Sequence, residues 1–190
     1  PRRDLAFISE ICTAQLVMVV NPDVPAKTPA ELLAWMKANP ERATYGSWGA
    51  GAFGHIAGSY WSKSRGVPMV HVPYKGEVPI VQDMLGGRLT WAMATLSTAR
   101  AHIESGKLRA LAVTGNKRVD YLPQVPTFAQ AGLGDPQLAL TGSMLLMAPA
   151  ATPPAVLAKL EKVSLAALDT PAVRARMAFA SLIPLGWDGK

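Results

Sequence analysis

The stretch Ala43-Thr44-Tyr45-Gly46-Ser47-Trp48-Gly49-Ala50-Gly51-Ala52-Phe53-Gly54-His55 decides how the chain is read. It has the pattern of a short strand, a glycine-rich turn and the start of a helix. Glycines at 46, 49 and 51 take side chains away where the backbone turns. Bare N–H groups can then converge on a guest at the helix N-terminus. That is chemistry for holding an anion such as a carboxylate, and not by itself chemistry for breaking a bond. The residues alone also fit an ordinary strand–helix turn whose glycines serve only backbone geometry.

Working outward, the same strand-then-helix rhythm recurs. Val67 to Val72 reads as a strand leading into Pro73-Tyr74-Lys75-Gly76, a second strand-to-helix turn. A helix near Val78 to Leu85 ends at Gly86-Gly87, as a left-handed cap would. Leu89 to Met93 is a strand, Ala99 to Glu104 a helix and Leu108 to Val113 a buried strand. Strands alternating with helices predict a mostly parallel sheet.

Upstream, Leu5 to Ile8 and Leu16 to Val20 are apolar runs expected to be strands buried on both faces. Thr28-Pro29-Ala30-Glu31 opens a helix, with Thr28 as cap, Pro29 at the first position and Glu31 completing a capping box. Leu32, Leu33, Trp35 and Met36 form its apolar face, and Asn39-Pro40 stops it. Downstream, residues 115–137 are loop-like, with a short helical piece near Phe128 to Ala131. Met144 to Met147 is a strand. Thr152-Pro153-Pro154 is expected to cap a helix carrying Val156, Leu160, Val163 and Ala167 on one face, and Thr170-Pro171 starts a last helix.

Bulk composition narrows the class. Apolar residues are 49% and charged ones 17% of 190 residues, which is a globular balance. No apolar run reaches the roughly 18 residues of a membrane span. Lys plus Arg exceed Asp plus Glu by 19 to 13, a net +6, spread along the chain without a dense basic run. No nucleic-acid partner is expected, while a mild positive field suits an anionic ligand. The lone Cys12 forms no internal disulfide and reads as a buried thiol, and no Cys/His cluster has zinc spacing. No metal, cofactor or catalytic residue is expected. Ser47 beside His55 or His71 raises a hydrolase alternative, but no Gly-x-Ser-x-Gly elbow is present and no acid partner stands out.

Four motifs in order carry a family resemblance. They are Tyr45-Gly46-Ser47-x-Gly49-x-Gly51-x3-His55, then His71-Val72-Pro73-Tyr74-Lys75-Gly76, then Gly106-Lys107-Leu108-Arg109-Ala110-Leu111-Ala112-Val113-Thr114. The last is Arg118 with Leu122-Pro123-Gln124-Val125-Pro126-Thr127 and Ala131-Gly132. Together they resemble the substrate-binding proteins of tripartite tricarboxylate transporters, the Bug or TctC family, from residue 5 to about 186.

The resemblance implies an α/β, type II periplasmic-binding-protein-like fold whose two lobes close on a ligand, here one complete lobe with a parallel or mixed sheet flanked by helices plus remnants of the other. It implies a periplasmic, non-enzymatic receptor for a small carboxylate: a di- or tricarboxylate, an acidic amino acid or an aromatic acid. Such a receptor presents its cargo to membrane transporter subunits or a sensor. Against the family's pattern the chain is expected to be truncated at the N-terminus and slightly at the C-terminus. Residues 1–20 would be a lobe-one remnant and first hinge crossing, 21–140 a complete ligand-binding lobe, and 141–190 the return strand and lobe-one helices. A homo-oligomer through exposed lobe-one remnants, or a non-binding oligomerising fragment, is the remaining alternative.

Mapped onto this sequence, the resemblance puts Ser47, Trp48, Gly49, Ala50, Gly51, Ala52 and His55 around one ligand carboxylate. His55 is expected to orient the loop. Tyr74, Lys75 and Gly76 form a second cleft loop, with Thr95 nearby. Two departures stand out: Ala94-Thr95 replaces a frequent Asp-Asn-like pair, and Ser143-Met144-Leu145 replaces a frequent Trp-Phe-Gly. Trp48 is the aromatic available to replace that lost wall. It also fits a surface aromatic packed on its neighbours. Arg109 is expected to be an outward or rim charge.

Overall fold

The computed structural model describes residues 3–180 and 182–187; residues 1–2 and 188–190, at the ends of the expected lobe-one segments, lie outside them. The chain divides into two compact units, residues 15–140 and residues 1–14 with 141–190.

The first unit is a five-stranded sheet with helices on both faces. Its strands are β2 (Leu16–Val20), β3 (Thr44–Ser47), β4 (Val70–Pro73), β5 (Trp91–Thr95) and β6 (Arg109–Val113), preceded in the chain by β1 (Leu5–Ala14) of the other unit. The spatial order is β4-β3-β5-β2-β6. β3 pairs parallel with β4 and β5, whereas β2 pairs antiparallel with β5 and β6. Four strands thus share one direction and β2 alone is reversed. The sheet is therefore mixed, which is one of the two forms expected for this lobe, with its parallel pairs confined to β4-β3-β5. The expected 1–20 segment also divides, because β2 sits inside the 15–140 sheet.

β2 shows why the sheet needs both faces covered. All five of its residues are buried. Leu16, Met18 and Val20 face a cluster with Leu32 and Met36 of α1 (Pro29–Ala38) and Ala57 and Trp61 of α2 (Phe53–Ser64). Val17 and Val19 face Ile80 and Met84 of α3 (Glu77–Leu85) and Leu96 and Ala99 of α4 (Leu96–Glu104). Each such side chain contributes about 1.5–3 kcal/mol by leaving water.

Local signals position these helices. Thr28 Oγ1 accepts the Glu31 N–H at 3.1 Å, and Glu31 Oε2 accepts the Lys27 N–H at 2.7 Å, a capping box reaching one residue further back than expected. α3 ends where Gly87 adopts φ 71°. The 127–133 segment is a hydrogen-bonded turn and not a helix: Thr127 Oγ1 accepts from Gln130 N, and Gln130 Oε1 accepts from Thr127 N and Arg118 Nε. Side chain and backbone satisfy each other there, so no further helical turn is needed. Arg109 is drawn inward, donating to the carbonyls of Val24 and Ala26 and so tying down the 22–26 loop.

The second unit is an antiparallel sheet in the order β7-β1-β8, with β7 at Gly142–Pro149 and β8 at Leu182–Trp187. β1 is buried on one face only, contrary to expectation. α5 (Pro154–Leu168) and α6 (Pro171–Phe179) accompany it, and Cys12, Leu168 and Met177 form a small cluster. No side chain caps α5, so Thr152 does not play the expected part; Pro153 is the cap position and Pro154 opens the helix. Val156, Leu160 and Val163 of α5 are exposed, as are Met144, Leu145 and Met147 of β7.

Candidate functional site

β3, β4 and β5 lie side by side and run the same way. Each passes at its carboxyl end into a helix: β3 through residues 48–52 into α2, β4 through 74–76 into α3, and β5 directly into α4. None of the three helix N-termini is capped by the side chain of its own cap residue, Ala52, Gly76 or Thr95. Helix starts carry unsatisfied N–H groups and a partial positive charge of about half an elementary unit. In open α/β sheets the carboxyl edge of the strands is where ligands lodge. This edge brings Ser47–Ala52, Tyr74–Gly76 and Thr95 onto three neighbouring strand ends.

The glycine loop is held from inside. Gly49 and Gly51 have φ of 126° and 84°, a region that disfavours a Cβ. Gly46 is different. It lies within β3, and a Cβ there would fall 2.6 Å from Leu89 Cδ2, so packing and not turning requires glycine. Ala50 and Gly51 are exposed at the loop tip and Ala52 is half-buried. Gly51 N–H donates to His55 Nδ1 at 3.0 Å. That bond ties the loop to the first turn of α2.

Ser47 is 2% exposed. Its Oγ lies 2.7 Å from His71 Nε2 and 2.9 Å from the Gly49 carbonyl, and it accepts the Gly49 N–H at 3.3 Å. The His71 ring sits between Tyr45, at 5.1 Å, and His55, at 4.3 Å. Burial, then the neighbouring His55, pushes the His71 pKa down. Among the described residues no carboxylate hydrogen-bonds to either histidine, so the Ser47–His71 pair lacks the orienting acid of a nucleophilic triad. No group of three or more His, Cys, Asp or Glu among the described residues is placed to hold a metal ion.

The other predicted residues are less free. Trp48 is half-buried, packs on the clusters at both faces of the sheet, and its indole Nε1 is buried without a hydrogen-bond partner. Tyr74 donates to Asp83 Oδ2 at 2.7 Å, and burial followed by that bond raises its pKa to about 12. Its hydroxyl is therefore turned to α3. Lys75 is exposed, and Gly76 has φ 152°.

Thr95 is engaged by a residue the sequence reading passed over. Glu77 Oε1 accepts the Thr95 N–H at 2.5 Å, and Oε2 accepts from Thr95 Oγ1 at 2.8 Å and Thr98 Oγ1 at 3.0 Å. Gly54 and Gly58 were also passed over. A Cβ on Gly54 would meet Ser47 Cβ at 3.3 Å, and one on Gly58 would overlap the Tyr45 ring. These glycines let α2 sit close against β3, which sets where its N-terminus points. Their four-residue spacing on a predicted helix was the available signal.

Against known proteins, residues 1–186 match the model of the tripartite tricarboxylate transporter family receptor. A Cupriavidus necator protein, described as the UPF0065 protein in the gbd 5' region, is 35% identical over 97% of this chain and 55% of its own length. BugT of Bordetella pertussis is 32% identical over 90% of this chain and 52% of its length. The chain thus spans about half the length of these curated relatives. Among solved structures, the periplasmic binding protein BugD superposes with a TM-score of 0.89 at 28% identity, over 98% of this chain and 62% of that one. The R. palustris protein Rpa4515 with adipate superposes at 0.87 with 26% identity, over 97% of this chain and 61% of that one. The matched family is described as a receptor and BugD as a periplasmic binding protein, which sets the hydrolase alternative aside. The chain belongs to the tripartite tricarboxylate transporter receptor family, the Bug or TctC solute receptors.

Proposed function

We propose that this chain forms the ligand-holding part of a periplasmic receptor that captures a small carboxylate and delivers it to a transporter of the tripartite tricarboxylate type or to a sensor. The observation that carries the reading is the meeting of three helix N-termini, uncapped by their own cap residues, at the carboxyl ends of three adjacent parallel strands. One ligand carboxylate lies on the 48–52 loop and the start of α2, with Ser47 and His55 holding the loop in shape. Tyr74, Lys75 and Gly76 border it. Lys75, exposed at the rim, adds attraction for an anion. Residues 15–140 are assigned as the ligand-binding lobe, and 1–14 with 141–190 as lobe-one segments joined to it by the two crossings, closing on the guest as the family resemblance implies. The adipate bound by Rpa4515, a relative of the same fold, supports a carboxylate cargo.

Thermal-shift and calorimetric titration of the chain with succinate, adipate, glutamate and benzoate tests the reading. A saturable rise in melting temperature with at least one of them, weakened by Gly51→Ala, is expected. No response to any at millimolar concentration refutes it. The exposed apolar side chains of α5 and β7 favour a second reading, an oligomerising module. That reading predicts a concentration-dependent dimer in sedimentation with no ligand response.

A further inference from the structure

Glu77 presents an unusual sight at the carboxyl edge of the sheet: an anion-binding arrangement whose anion is supplied by the protein. Its carboxylate takes a backbone N–H at the start of α4 and two hydroxyls, from Thr95 and Thr98. Thr95 Oγ1 also lies 3.2 Å from Ser97 Oγ and 3.1 Å from Thr98 Oγ1, so three hydroxyls gather there. Among the described residues no salt bridge reaches Glu77. The negative charge is therefore held by neutral donors at the end of β5, the strand next to the one that carries the glycine loop.

We propose that Glu77 is a specificity-determining residue that limits the ligand to one carboxylate, with a neutral or cationic group at its other end. The inference rests on the carboxylate-receptor reading above. Its physical basis is twofold. Three donors at the start of α4, the Thr95 N–H and the Thr95 and Thr98 hydroxyls, already serve Glu77, so a second ligand carboxylate has to compete with it for them. It also meets a like charge: neighbouring strands are about 4.8 Å apart, and α2 and α4 follow adjacent strands. Like charges at such separations in a partly desolvated site oppose binding by about tenfold or more. A ligand ammonium or amide N–H, by contrast, finds an acceptor oxygen on Glu77.

The test is calorimetric titration of the chain and of Glu77→Gln with butyrate, succinate and 4-aminobutyrate. The glutamine is isosteric, and circular dichroism checks that it folds. The unsubstituted chain should bind 4-aminobutyrate and butyrate more tightly than succinate. Glu77→Gln should move the succinate-to-butyrate affinity ratio about tenfold toward succinate, with butyrate itself changed less than about threefold. Tighter succinate than butyrate binding by the unsubstituted chain overturns the proposal without any variant. Carboxylate binding with an unchanged ratio in Glu77→Gln overturns the role of Glu77 alone. Binding of none of the three by either protein overturns the receptor reading and this inference with it.

Discussion

Replacing Gly58 by alanine should destabilise the protein, although helix propensity alone argues for the opposite. Gly58 lies inside α2, where alanine gains about 0.5–1 kcal/mol over glycine. Its added Cβ, however, would sit 2.5 Å from Tyr45 Cζ and 2.6 Å from Cδ2. The ring has little room to yield. Tyr45 is 2% exposed, stacked on Trp91 with centroids 5.2 Å apart, and bordered by His71 at 5.1 Å. Overpacking a tight core costs about 1–3 kcal/mol and sometimes more, and three overlapped ring atoms put this site at the upper end. The net expectation is about 2 kcal/mol of destabilisation, or roughly 4–8 °C in melting temperature for a chain of this size. Urea denaturation followed by fluorescence measures it. Gly66→Ala serves as the comparison, since its Cβ meets nothing within 4 Å and only its φ of 62° opposes the change. A Gly58→Ala protein as stable as the parent, or more so, refutes the claim that this glycine exists for close helix–strand approach.

Three further outcomes follow from the geometry. Tyr74 has its folded pKa raised to about 12 by burial and the bond to Asp83, above its ordinary 10; the stability this gives is complete below pH 10 and is lost as pH rises toward 12, so Tyr74→Phe should flatten the alkaline fall in melting temperature. His71 has its pKa lowered by burial and His55, so the folded protein resists its protonation; stability should fall as pH drops below the ordinary 6.5, and His71→Asn should reduce that acid sensitivity in melting curves between pH 7 and 5. Asn21, 5% exposed, donates to the Met84 carbonyl and accepts the Asp23 N–H at 2.8 Å; Asn21→Ala removes both bonds, the Met84 carbonyl keeping the Gly87 N–H, and should cost about 1 kcal/mol in urea denaturation.

Much of this fold is written locally. The Thr28–Glu31 cap, the Asn39-Pro40 stop and the Gly86-Gly87 ending depend on a few adjacent residues, and each lies where the sequence places it. The direction of β2 does not: Leu16–Val20 reads the same whichever way its partners run, and only the pairing with Trp91–Thr95 and Arg109–Val113 decides it. The candidate site divides in the same way. The glycine turn at 49–51 is legible because positive φ has a residue signature. The hold of Glu77 on Thr95 joins residues 18 apart across two elements, and no spacing rule announces it. Gly46 shows a subtler limit, since the residue was identified but its reason, packing against Leu89, lay in a distant segment. Thr152 failed as a cap because Pro153 takes the cap position.

The division of the chain into units also orders its folding in time. Residues 15–140 are one continuous segment, whereas the other unit is assembled from both ends. β1 must pair with β7, with Ala14 opposite Gly142, across that whole intervening segment. Closing so long a loop in an unfolded chain costs on the order of 4 kcal/mol of entropy. Once 15–140 has collapsed around β2, its two exits are adjacent and most of that cost has been met. The interrupted unit is therefore kinetically dependent on the continuous one. Ribosomal synthesis reinforces the sequence of events, because β7, α5, α6 and β8 follow β2 to β6 along the chain.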